Sequence, residues 1–137
     1  MPVLVLDCSA TLSVAFEDEY SDDAWRVFEA IEHGGALVPP LWPMEVAHAL
    51  RNGIKHGRIS EPDAERFLDF LAEYPVEVYD EKPHPLPSVF FQSAKRHSLT
   101  AYDASYLRLA QITGLPLAAN DGELVKAARK AGVTLFA

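Results

Sequence analysis

The chain has 137 residues, about half of them hydrophobic, enough to bury a core, and it reads as one domain over residues 1–137. No apolar run approaches the roughly 20 residues that cross a bilayer, residues 1–6 lack the pattern of a signal peptide, and a single cysteine, Cys8, excludes an internal disulfide, so a cytoplasmic protein without a membrane role is expected. Twelve basic against twenty acidic residues give a net charge of −8; this counts against non-specific nucleic-acid binding, which draws on phosphate contacts, although a metal-filled acidic site beside a basic strip can overcome the global field.

Residues 3–6, all aliphatic, read as a buried strand that stops on Asp7, with Ser9 and Thr11 just behind it. Helix-sized segments follow at 9–17 and 22–33, ended by Gly34-Gly35, and a second short apolar run spans 36–38. Pro39-Pro40 marks a loop before helices at 42–57 and 61–73, separated at Gly57. A strand at 76–79 leads into the Pro83, Pro85 and Pro87 series, then helices at 88–98 and 101–113 end at Gly114. A strand at 116–119, a helix at 122–131, Gly132 and a last apolar run at 133–136 complete the chain. Continuous aliphatic strands alternating with helices predict an α/β fold, a three-layer α/β/α sandwich around a parallel sheet of four to five strands.

In such sheets ligands bind beyond the carboxyl ends of the strands, at the switch in strand order. Asp7 follows the first strand and Asp121 follows the strand at 116–119; if these strands are neighbours, the two acids share one crevice. Each acid alone has an ordinary explanation. Asp7 or Ser9 fits a helix cap, and Asn120 or Asp121 another. Thr100 and Asp103 fit a capping box, with Asp103 in line with Leu107 and Ala110 while Ser105, Arg108 and Gln111 form the expected solvent stripe. Glu45 reads as a helix-start glutamate nearly opposite an apolar face of Met44, Ala47, Leu50 and Ile54. Together, acids at strand–helix junctions without adjacent Lys or Arg would repel one another. A hard divalent cation relieves this, and oxygen ligands suit Mg²⁺ or Mn²⁺. Asp7, Glu45, Asp103 and Asp121 are therefore the candidate catalytic and metal-binding residues for one or two ions, with Ser9 and Asn120 holding the carboxylates or bound waters. Such ions can activate a water and stabilise the leaving oxygen in phosphodiester hydrolysis.

Rival patterns are weaker. The stretch VLDCSAT resembles the aspartyl-phosphate motif of haloacid-dehalogenase-type phosphatases, but Ser9 stands where the second acid belongs. Cys8 after a buried strand reads as an inert core thiol, and the five histidines show no zinc-ligand spacing. Arg51, Lys55 and Arg58 recur along one helix side and read either as a solvated face or as an RNA-contacting strip.

The segments VLDCSATL, VPPLWPMEVAHALRNG, LTAYDASYLRLA and LPLAANDGELVKAARKAGV, in this order, resemble the PIN-domain family, specifically VapC-type toxins of toxin–antitoxin pairs. The resemblance runs from about residue 3 to residue 135. It implies a PIN-like fold and a Mg²⁺- or Mn²⁺-dependent endoribonuclease with its acidic site on Asp7, Glu45, Asp103 and Asp121. It also implies homodimerisation and inhibition by a cognate VapB-type antitoxin, for which Phe67, Phe70 and Leu71 with the Arg51 strip are a candidate groove. The alternative is a non-catalytic PIN-like scaffold that binds RNA or a protein partner.

Overall fold

In the computed structural model, which describes residues 1–120 and 122–136, the aliphatic runs form a sheet of four parallel strands. In chain order the elements are β1 (Leu4–Leu6), α1 (Cys8–Leu12), a 3-10 turn (Glu17–Glu19), α2 (Asp22–Gly34), β2 (Ala36–Val38), α3 (Trp42–Lys55), α4 (Glu61–Leu71), β3 (Val76–Val78), α5 (Pro87–His97), α6 (Ala101–Thr113), β4 (Leu117–Ala118) and α7 (Gly122–Lys130). The strand order is β3-β2-β1-β4. The chain winds one way from β1 through β2 to β3 and then places β4 on the other side of β1, with Val5 opposite Leu117 and Leu6 opposite Ala118. The switch point therefore lies between β1 and β4, the two strands expected to be neighbours.

Burial follows this order. All three residues of β1 are fully buried, as are those of β2 and β4, which accounts for their unbroken aliphatic character. β3 is the edge strand and carries the exposed Glu77, a charge that discourages further pairing. The expected strand at 133–136 reduces to one bridge, Leu117 to Leu135, flanked by hydrogen bonds from Leu117 N–H to Thr134 and from Phe136 N–H to Leu117. Helix starts are written in hydroxyls: Ser21, Ser60 and Thr100 accept from the N–H of Ala24, Asp63 and Asp103 at 3.1 Å.

Two helix faces differ from the sequence expectation. The buried face of α3 is Trp42, Val46, Leu50 and Gly53, while Met44 and Ala47 are exposed. Trp42 Nε1 donates to Thr11 Oγ1 at 2.9 Å, and a Cβ on Gly53 would stand 2.7 Å from the Phe16 ring; these contacts fix the rotation of the helix. On α6, Ser105 is buried and Arg108 half-buried, leaving Gln111 as the exposed member of the expected solvent stripe. α5 packs along that side, Ser105 Oγ donates to the Tyr102 carbonyl at 2.6 Å, and Arg108 grips Glu81 through two bonds of 2.6 and 2.8 Å.

Candidate active site

At the carboxyl end of β1 the Asp7 N–H donates to the Ala118 carbonyl of β4 at 3.1 Å, the last rung before the two strands part. Its side chain then caps α1: Oδ1 accepts from Ala10 N–H at 2.7 Å, and Ser9 Oγ stands 2.9 and 2.8 Å from the two carboxylate oxygens. Of the two capping candidates, Asp7 is the cap and Ser9 its partner. Thr11 Oγ1 donates to the Asp7 carbonyl at 2.7 Å while accepting from Trp42, so the turn is locked to α3. Asp7 is only 3 % exposed. Burial pushes its carboxyl up to about 7; hydrogen bonds from Ala10 and Ser9 oppose this, and the charges of Asp103 and Glu45 add to it.

Those two charges reach Asp7 from different helices. Glu45 lies in the first turn of α3, at the flank of its buried face rather than opposite it, and its Oε1 accepts from the Tyr106 hydroxyl at 2.5 Å. Tyr106 is itself 1 % exposed, and burial and the Glu45 carboxylate hold its hydroxyl far above the usual phenol range, so it is a fixed donor. Asp103 sits in the first turn of α6, half-buried, with its N–H on the Thr100 hydroxyl. Cys8, next to Asp7, has its thiol pushed up to about 12 by burial and then by Glu45, Asp7 and Asp103; it is a protonated, unreactive thiol.

β4 is tied to the same turn. Asn120 N–H donates to Ser9 Oγ at 2.9 Å, Asn120 Nδ2 donates to Ser13 Oγ, and Ser13 Oγ in turn donates to the Ser9 carbonyl at 3.0 Å. Asp121, the fourth acid of the sequence reading, lies outside the described residues. Among the described residues no three His, Cys, Asp or Glu side chains are grouped so as to hold a metal ion, and no Lys or Arg forms an ion pair with Asp7 or Glu45.

The basic strip separates. Arg58 lies 4.0 Å over the Phe16 ring and bonds Asp18 and Glu19 at 3.0 and 2.6 Å. Lys55 is exposed, and Arg51 lines the same groove as Glu45. Phe67 and Leu71 are core residues, and Phe70 packs edgewise or tilted on Trp25, Phe28 and Tyr74. The sequence reading missed Tyr106, although it lies three residues from Asp103 on one helical row. It gave no role to the hydroxyls of Thr11 and Ser13, which stand four residues from Asp7 and from Ser9, one helical turn on.

Known proteins give this arrangement its context. The family profile described as PIN domain matches residues 4–130. Ribonuclease VapC1 of Mycobacterium tuberculosis is 36 % identical over 124 residues, covering 80 % of this chain and 91 % of that protein. Ribonuclease VapC3 of Pyrobaculum aerophilum is 30 % identical over 126 residues, covering 90 % and 92 %. Among solved structures, PAE2754 from Pyrobaculum aerophilum superposes with a TM-score of 0.70 at 25 % identity, over 92 % of this chain and 84 % of its own. FitAcB from Neisseria gonorrhoeae shares the fold with a TM-score of 0.60 at 16 % identity, over 98 % and 96 %. With the profile spanning nearly all of the parallel sheet and its helices, the chain belongs to the PIN-domain family.

Proposed function

We propose that residues 1–137 form one PIN-like domain that acts as a Mg²⁺- or Mn²⁺-dependent endoribonuclease, the toxin of a pair silenced by a VapB-type antitoxin. The observation that carries the reading is Asp7: a carboxylate at the sheet's switch point whose pKa is raised by its burial and then by two further acids, with no basic side chain paired to it among the described residues. Such a group is costly to hold unless a cation shares it. The donors fit a hard divalent ion, being carboxylate oxygens with a tyrosine hydroxyl and a serine hydroxyl fixing their orientation. The names of the ribonuclease relatives support RNA as the substrate.

In this reading Asp7, Glu45, Asp103 and Asp121 hold the ion, which supplies the charge that activates a water and eases departure of the leaving oxygen. The chain's own part is orientation. Ser9 keeps both Asp7 oxygens in place, Tyr106 fixes Glu45, and Asn120 holds the end of β4 against Ser9. The protein acts in the cytoplasm as a homodimer; no described helix is long and apolar enough to cross a membrane. Helix α5 supports the dimer, since none of its residues is buried and Leu86, Phe91 and Ile112 are 69 %, 65 % and 48 % exposed around it.

The test is cleavage of a structured RNA pool with Mn²⁺ or Mg²⁺ by the wild type, Asp7→Asn and Asp103→Asn. Loss of cleavage in both variants is expected. Equal cleavage by all three overturns the reading, and a wild type that binds RNA without cutting it favours the scaffold that the net charge of −8 leaves as the second reading.

A further inference from the structure

Beside Glu45, the first turns of α3 and α6 border an open groove of about 530 Å³, within the size range of small-molecule sites. Its α3 side is apolar, lined by Leu41, Met44 and Ala47, and Tyr102 of α6 lines it from the residue just before Asp103. Met44 is 77 % and Tyr102 65 % exposed, so two large side chains stand in water within one residue of two of the acids. The rotation of α3 put Met44 there, since it buries Trp42, Val46 and Leu50 instead. His48 and Arg51 complete the rim. Arg51 has only a long, exposed contact to Glu61 at 3.9 Å, which is worth little.

We propose that this groove seats an unpaired base of the RNA next to the scissile phosphate, with the Tyr102 ring stacked on the base and Arg51 on a neighbouring phosphate. The inference rests on the ribonuclease reading and adds to it a base-stacking subsite at Tyr102. A base offers a π-face whatever its identity, and a tyrosine ring is a common platform for it. Base pairing would hide that face, so duplex RNA gains nothing from the groove. Stacking also suits the charge of the chain. At −8 the protein draws little affinity from phosphates, and apolar contact must supply what the field withholds. An apolar side chain of a protein partner is the competing occupant. Continuity with Glu45, which lines it, and a rim of imidazole and guanidinium favour a nucleotide.

The experiment uses single-stranded oligoribonucleotides carrying 2-aminopurine at successive positions. They are bound to Asp7→Asn, Asp7→Asn/Tyr102→Ala and Asp7→Asn/Tyr102→Phe, and cleavage kinetics are measured with Tyr102 varied alone. Stacking predicts quenching at one position, about tenfold weaker binding and about tenfold higher KM for Tyr102→Ala with kcat little changed, and recovery in Tyr102→Phe. Annealing a complementary strand should abolish the dependence on Tyr102. Unchanged quenching and KM in Tyr102→Ala, with cleavage intact, overturn the subsite and leave the ribonuclease reading standing. Quenching that depends on Tyr102 in a protein that never cuts RNA supports the subsite and removes the ribonuclease reading. Release of a bound protein by Tyr102→Ala, with RNA binding unchanged, assigns the groove to that partner and overturns the proposal.

Discussion

Asp7 carries two duties that pull in opposite directions. As a cap it holds the first turn of α1; as a buried anion it is opposed by burial and by Asp103 and Glu45. The folded chain keeps its proton up to about pH 7, against an ordinary value of 3.8. Between those values the native state binds more protons than the unfolded state, so this group's contribution to stability falls as pH rises. Without metal, the melting temperature of Asp7→Asn relative to wild type should therefore climb from pH 4 to pH 7.5, since asparagine caps as well and carries no charge. A difference that stays flat across this range contradicts the account. Tyr106 belongs at the same scale. Its hydroxyl gives Glu45 a bond of 2.5 Å, and removing such an orienting partner costs about 10–100-fold in metal affinity. Tyr106→Phe should weaken Mn²⁺ binding by that factor in calorimetric titration, with the fold intact by circular dichroism.

At the level of elements, Gly53 decides how α3 sits. A methyl there would press on Phe16, which is itself covered by Arg58. Alanine gains about 1 kcal/mol of helix propensity and overpacking costs about 1–3 kcal/mol, so Gly53→Ala should lower unfolding free energy by about 1 kcal/mol in urea titration, and Phe16→Leu beside it should recover part of the loss. This position also explains what could be read in the residues alone. The strands were legible because β1, β2 and β4 are buried on both faces, and Asp7 stood out because a buried run ended on charge. The face of α3 was not. Met44, Ala47, Leu50 and Ile54 make as good an apolar stripe as Trp42, Val46, Leu50 and Gly53, and the choice is made by Thr11 and Phe16, more than 30 positions earlier. On α6 polarity misled in the same way, because Ser105 and Arg108 find partners in the Tyr102 carbonyl and in Glu81.

For the whole molecule, charge and apolar surface divide the exterior. Asp7, at the carboxyl end of β1, feels the charges of Asp103 and Glu45, whereas α5 leaves Leu86 and Phe91 in water with Ile112 of α6. In the proposed dimer, a charge placed in that second region separates the protomers without touching the first. Phe91→Glu is expected to shift the mass from dimer to monomer in light scattering while Mn²⁺ binding is retained. A dimer of unchanged mass would place the interface elsewhere.

The tie between Asn120 and Ser9 spans 111 positions, and β4, which pairs with β1, is the last strand of the chain. Synthesis proceeds from the other end. A domain folds as a unit, and here the segment that completes the switch point is among the last to leave the ribosome. A chain cut short before residue 117 would lack the strand and the Asn120 amide against which the turn after β1 is held.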